Sequence, residues 1–170
     1  MANIDAPLGF RPVRGPFRTN EYTLAAANTI VGVGDLIIAT TAGTVDRAAA
    51  TATQIIGVCL SIAAASSGAK ILVNDHPDTI YMAQMDDDSS GSGTVLTGVF
   101  GNYDIIVGNA SNGLSIMEID ESSLATTATL PIKVLKLWAA PDNAFGAHVK
   151  VECIINNHVF KASSAGTGLA

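Results

Sequence analysis

The chain has 170 residues, enough for one domain of ordinary size, and only 14% of them are charged against 48% apolar. A net charge of −6 opposes a nucleic-acid surface, and no apolar run approaches the roughly 18–20 residues of a membrane span. No basic stretch precedes an apolar core, so no secretory signal is read, and with aromatics at 5% the core has to be built from Val, Ile, Leu and Ala.

Residues 1–21 differ in composition from the rest of the chain. Pro7, Pro12 and Pro16 forbid a helix there and discourage a central strand. Arg11, Arg14 and Arg18 are interleaved with the apolar Leu8, Phe10, Val13 and Phe17. Disordered tails are usually poor in such aromatic and aliphatic anchors. The reading is an extended arm that cannot bury itself and docks on a neighbouring chain.

Residues 22–161 read as one β-rich domain. Apolar runs at 29–33, 36–40 and 54–62 are punctuated by Gly-containing turns, and Gly57 inside the third suggests a bulge or a close backbone approach. Residues 47–53 (RAAATAT) suggest a short helical turn. Residues 70–74 and 79–84 continue the strand pattern around the turn Asn74-Asp75-His76-Pro77-Asp78. Residues 85–93 (MDDDSSGSG) read as a flexible polar loop and 94–100 as a short strand or helix. Further strands are expected at 103–107 and 115–119, then a capped helical turn over 120–124 (DESSL). Short strands at close spacing point to a small β-barrel or β-sandwich.

The clearest element is a hairpin over 130–160. In its second run Val149, Val151, Cys153 and Ile155 fall on one face and His148, Lys150 and Glu152 on the other, the alternation of a half-buried strand. In the first run Ile132, Val134 and Trp138 share a face. Pro141-Asp142-Asn143 and Gly146 supply turn chemistry, so an ordered six-residue loop is expected. Residues 162–170 read as a small, polar, frayed tail.

Few residues of the chain form a pattern that points to chemistry. Cys59 and Cys153 lie in apolar strand-like runs and read as buried free thiols in a reducing compartment, with a disulfide between them the alternative. Without CxxC spacing they make no structural zinc site, and His76, His148 and His158 form no i, i+4 pair. His148 reads as a solvent-facing strand residue. No G-x-S-x-G elbow and no phosphate cradle is present. Asp86-Asp87-Asp88 lacks the spacing of a calcium loop and reads as a solvated acidic loop. No catalytic residue, metal or cofactor is expected.

The opening MANIDAPLGFRPVR, then NEYTLAAA, GDLI and IIGV, and later YDIIVGNASNG, MEIDESSLATTATLPIKVLKL, APDNAF and VECIINNHVF, resemble the capsid decoration (cement) or minor head proteins of tailed bacteriophages. The resemblance implies a non-enzymatic β-rich protein, made in the host bacterial cytoplasm and bound to the outer surface of the virion head. There it clamps neighbouring subunits of the major capsid protein, with a homotrimer favoured and a dimer possible. The match over Pro7-Leu8-Gly9-Phe10-Arg11-Pro12-Val13 carries the capsid-binding arm onto this chain. Phe10 and Phe17 are then expected to fill capsid pockets and Arg11, Arg14 and Arg18 to pair with carboxylates, with Leu8, Pro12 and Val13 completing the contact. A second set, Trp138, Asp142, Asn143, Phe145, Asn156, Asn157 and His158, is expected at an oligomer or capsid contact. A phage tail or receptor-binding component and a small-ligand-binding β-barrel are the competing readings.

Overall fold

The computed structural model describes residues 3–25, 30–64, 68–86 and 98–161. It is mainly β, with 45% of residues in strands, no helix among the described residues, and two antiparallel sheets that form a sandwich and not a closed barrel. The strands are β1 (Arg11–Arg14), β2 (Thr19–Thr23), β3 (Leu36–Ala39), β4 (Val45–Arg47), β5 (Ile55–Cys59), β6 (Lys70–Asn74), β7 (Ile80–Gln84), β8 (Asn102–Ile106), β9 (Glu118–Ala125), β10 (Ile132–Leu137) and β11 (Lys150–Ile155). Sheet A runs β1-β7-β11-β10-β8-β9 and sheet B runs β2-β6-β5-β3-β4.

The main core lies between the sheets. Leu36, Ile55 and Val58 of sheet B meet Tyr81, Tyr103, Ile119, Ile132, Val134, Val151, Cys153 and Ile155 of sheet A. A second cluster covers the other face of sheet B, where Ile37, Ile56, Cys59, Ile71 and Val73 pack with Leu24, Val31 and Ala63 from connecting segments. Sheet B is therefore apolar on both faces, which explains why β5 reads as an uninterrupted apolar run. The two cysteines fall in different clusters and are free thiols.

Gly57 sets the side-chain order of β5. Its φ of +152° and its position, where a Cβ would stand 2.0 Å from the Asn74 carbonyl oxygen, admit only glycine. The register with β3 shifts at this point, so Ile55 and Val58 face the main core while Ile56 and Cys59 face the second cluster.

Four expectations are corrected. First, the N-terminal segment is no free arm: β1 pairs with β7 in sheet A, and β2 pairs along its whole length with β6 in sheet B. Prolines bar a central strand, but β1 lies at a sheet edge, where Pro12 is tolerated. Second, the stretch 120–124 belongs to β9. The Asp120 and Ser122 side chains do make the local contact of a cap, Ser122 N donating to Asp120 Oδ1 at 3.0 Å, but pairing with β8 at Asp120 and at Ala125 holds the stretch in the strand as a bulge. Third, residues 47–53 hold one turn, with Ala52 N donating to Ala49 O at 3.1 Å, and no helix. Fourth, the hairpin loop spans 138–149, longer than six residues. Asn143 fills it, donating to Trp138 O at 2.8 Å and Lys150 O at 2.7 Å and accepting from Lys150 N at 2.9 Å, so a side chain takes the place of ladder bonds.

A bulge in β10 also alters its faces. Val134 opposes Cys153 but Leu137 opposes Val151, leaving Leu135 as the extra residue. Leu137, and not Trp138, therefore joins Ile132 and Val134 against the core. Asp87, Asp88, the stretch 94–97 and the tail 162–170 lie outside the described residues.

Candidate functional site

The segment before and through β1 and β2 threads from one sheet to the other. Gly9 has a φ of +65°, and a Cβ there would stand 2.4 Å from Ser115 Cβ and 2.6 Å from the Gly34 carbonyl oxygen. This tight passage delivers Phe10 into the main core, where it is 0% exposed, with its amide donating to Gly34 O at 2.9 Å. Phe10 is thus an intramolecular core residue and cannot fill a pocket on a partner. Pro12 and Val13 are half-buried in β1, and Arg11 Nε donates to Leu8 O at 3.0 Å.

What the segment leaves outside is apolar. Ile4 is 70% exposed, Leu8 43% and Phe17 58%. The position of Phe17 is fixed by its neighbours. Thr79 Oγ1 donates to Pro16 O at 2.8 Å, and Arg18 Nε donates to Asp75 Oδ1 at 2.7 Å with its Nη2 on Asp75 O at 3.1 Å. Asp75 is fully buried and also accepts from Asn20 Nδ2 and Tyr22 Oη. Burial works to raise its carboxyl, but the Arg18, Asn20 and Tyr22 hydrogen bonds outweigh that and hold it below the usual range. The Arg18 guanidinium lies 5.2 Å from the centroid of the Phe160 ring, which is itself 47% exposed. Arg18 and Phe160 thus form an exposed aromatic–arginine pair on a rigid base, and Phe17 is exposed at the preceding position of the chain.

The other arginines are used within the chain. Arg14 pairs with the buried Glu152, which also meets Lys136 at 3.4 Å. Arg47, buried, grips the buried Asp35 through Nε at 2.8 Å and Nη2 at 3.1 Å, a structural bidentate pair. Of the second expected set, Asp142 and Phe145 are exposed and Trp138 is half-buried. Asn143 closes the hairpin loop, Asn156 Nδ2 donates to Ala128 O at 3.1 Å and Leu130 O at 3.0 Å, and Asn157 Nδ2 donates to Thr129 O. Asn143 ties its loop to β11, and Asn156 and Asn157 tie the segment after β11 to the connection between β9 and β10 through its backbone carbonyls. His158 is buried, with Nδ1 accepting from Phe160 N at 3.1 Å, and burial lowers its imidazole to about 4. It is therefore a neutral structural histidine and no contact residue.

His148 is half-buried and not in a strand, and its backbone has a φ of +55°. Its side chain lies with Asp5 and Glu118, donor atoms of the three all within 4.8 Å of one another. Burial, then the charges of Asp5 and Asp86, push the Glu118 carboxyl up to about 7. No local signal could have found this group, since its members are separated by more than a hundred residues or by thirty in the chain. Surface depressions of about 250 and 260 Å3 share Thr51 and Thr53, and among the described residues Asp104 is the one titratable side chain lining either.

No family model matches the chain, and no curated protein matches it.

Proposed function

We propose that this chain is a non-enzymatic virion structural protein that binds the outer face of a tailed-phage head and cements neighbouring subunits of the major capsid protein. The observation that carries the reading is the exposed Arg18–Phe160 pair, with Phe17, Leu8 and Ile4 exposed along the N-terminal segment. Aromatic and arginine side chains dominate interface energies when they are well packed at the centre of a contact. Here the Asp75 cluster fixes Arg18 before any partner arrives, so little side-chain freedom is lost on docking. The low overall charge and the resemblance of the sequence to phage decoration proteins support the same conclusion.

This mechanism differs from a docking arm. The rigid sandwich presents the N-terminal segment, and the buried Phe10 holds that segment in place. Assembly as a homotrimer multiplies the effect of a modest single contact through effective concentration.

The test is incubation of the purified chain with heads that lack it, followed by sedimentation and heating. Saturable co-sedimentation and a raised disruption temperature are expected, with a copy number that selects trimer or dimer. Phe17→Ala and Phe160→Ala should lower occupancy without altering the fold. Failure of the unsubstituted chain to co-sediment would overturn the proposal.

A further inference from the structure

We propose that Asp5, Glu118 and His148 form a binding site for one divalent first-row transition-metal ion, Zn2+ or Mn2+, which ties the N-terminal segment to sheet A. The three donor atoms lie within 4.8 Å of one another although they come from the N-terminal segment, the first residue of β9 and the hairpin loop. The convergence is built. Asn3 Nδ2 donates to Ala144 O and Ala147 O, each at 2.8 Å, and Asn3 Oδ1 accepts from Ala144 N at 3.0 Å. These bonds fasten the chain end to the hairpin loop two residues before Asp5 and place Asp5 Oδ1 3.8 Å from His148 Nδ1.

Two further observations point to a ligand. Glu118 Oε1 is buried with no hydrogen-bond partner, a costly condition for a carboxylate oxygen unless a cation meets it. The charged groups that act on Glu118 are Asp5, Asp86 and His148, so two like charges crowd it.

The donor set selects the ion. An imidazole nitrogen beside carboxylates suits zinc or manganese, whereas calcium and magnesium favour an all-oxygen shell. Donors on a tetrahedral ion with bonds of about 2.1 Å stand about 3.4 Å apart. The Asp5 to His148 separation needs only a small rotation of the exposed Asp5 side chain to reach that spacing. Water completes the coordination shell on the open side.

The experiment is calorimetric titration of the full chain, first dialysed against a chelator, with ZnCl2, MnCl2 and CaCl2, paired with thermal melts. One Zn2+ or Mn2+ per chain is expected, with calcium at least about tenfold weaker. At a hundredfold excess over Kd, the melting temperature should rise by about 8 °C. Glu118→Gln keeps the shape of the side chain, and His148→Asn keeps a residue that accepts positive φ; each should weaken binding by about tenfold or more. Asp5→Asn sits in an exposed segment and supplies the same readout should either of the others fail to fold. Absence of stoichiometric binding, a preference for calcium, or full affinity retained in the folded variants would overturn the assignment.

Discussion

Phe10 and Phe17 stand seven positions apart in one Pro- and Arg-containing stretch, and composition gives both the same character. Their environments divide them: Phe10 is fully buried among Leu36, Tyr81 and Met117, and Phe17 is more than half exposed. Phe10→Ala should therefore cost about 3–5 kcal/mol of folding stability, the range for deleting a buried aromatic. Phe17→Ala should stay within about 0.5 kcal/mol of the parent chain while lowering occupancy on heads. Urea midpoints of the two variants check the first half, and a loss at Phe17 as large as that at Phe10 would refute it. His158 adds a pH dependence at the same scale. Burial lowers its folded value from 6.5 to about 4, so the unfolded chain takes up a proton in that window before the folded chain does. Its contribution is fully present above about pH 6.5 and is lost progressively as the pH falls toward 4. His158→Asn keeps an acceptor for the Phe160 amide and does not titrate. Urea midpoints between pH 7 and pH 4.5 should therefore fall less steeply in that variant than in the parent.

The elements were legible where alternation is local. The strands over 36–40, 54–62, 70–74, 79–84 and 103–107 and the two runs of the hairpin were each readable from apolar spacing and flanking turns, and they appear as β3, β5, β6, β7, β8, β10 and β11. What could not be read is where a strand gains a residue. The bulges at Gly57, at Leu135 and in β9 opposite Asn102–Asp104 depend on the partner strand, and each reverses which side chains of its own strand face the core. The stretch 120–124 misled for a related reason, since Asp and Ser make the same short-range hydrogen bonds in a bulged strand as at a helix start. The aromatic–arginine pair was half legible: Arg18 stood out in the sequence, but Phe160 meets it only through the fold. Asn143 shows the same limit, because a turn residue became the plug of a longer loop. Asn143→Ala removes two donated bonds and one accepted bond and should cost about 1–3 kcal/mol. Hydrogen exchange at the Lys150 amide should quicken in that variant more than at Cys153, which sits deeper in β11. Equal protection at Lys150 in both chains would show that the loop closes without the amide.

At the scale of the molecule, the question is whether the N-terminal segment decorates the sandwich or completes it. β1 forms one edge of sheet A and β2 one edge of sheet B, so a single stretch supplies an edge strand to each layer. Phe10 sits beside β1 and fills the space between the layers, and Arg18 supplies the main ionic partner of the buried Asp75. Removing residues 1–21 deletes β1, most of β2, one large core side chain and the counter-charge of the Asp75 carboxylate, which keeps only the Tyr22 hydroxyl of its three side-chain donors. An unpaired buried charge costs about 3–5 kcal/mol and the lost aromatic about as much again, while a domain of this size has a total of only about 5–15 kcal/mol. The shortened chain should therefore melt without a cooperative transition and bind a hydrophobic dye, as a collapsed state with exposed core does. A docking arm predicts the opposite, a shortened chain that folds normally and merely fails to bind heads. Cooperative melting within about 3 °C of the full chain would favour the arm, since a loss of 1 kcal/mol moves the midpoint of a domain this long by about that much.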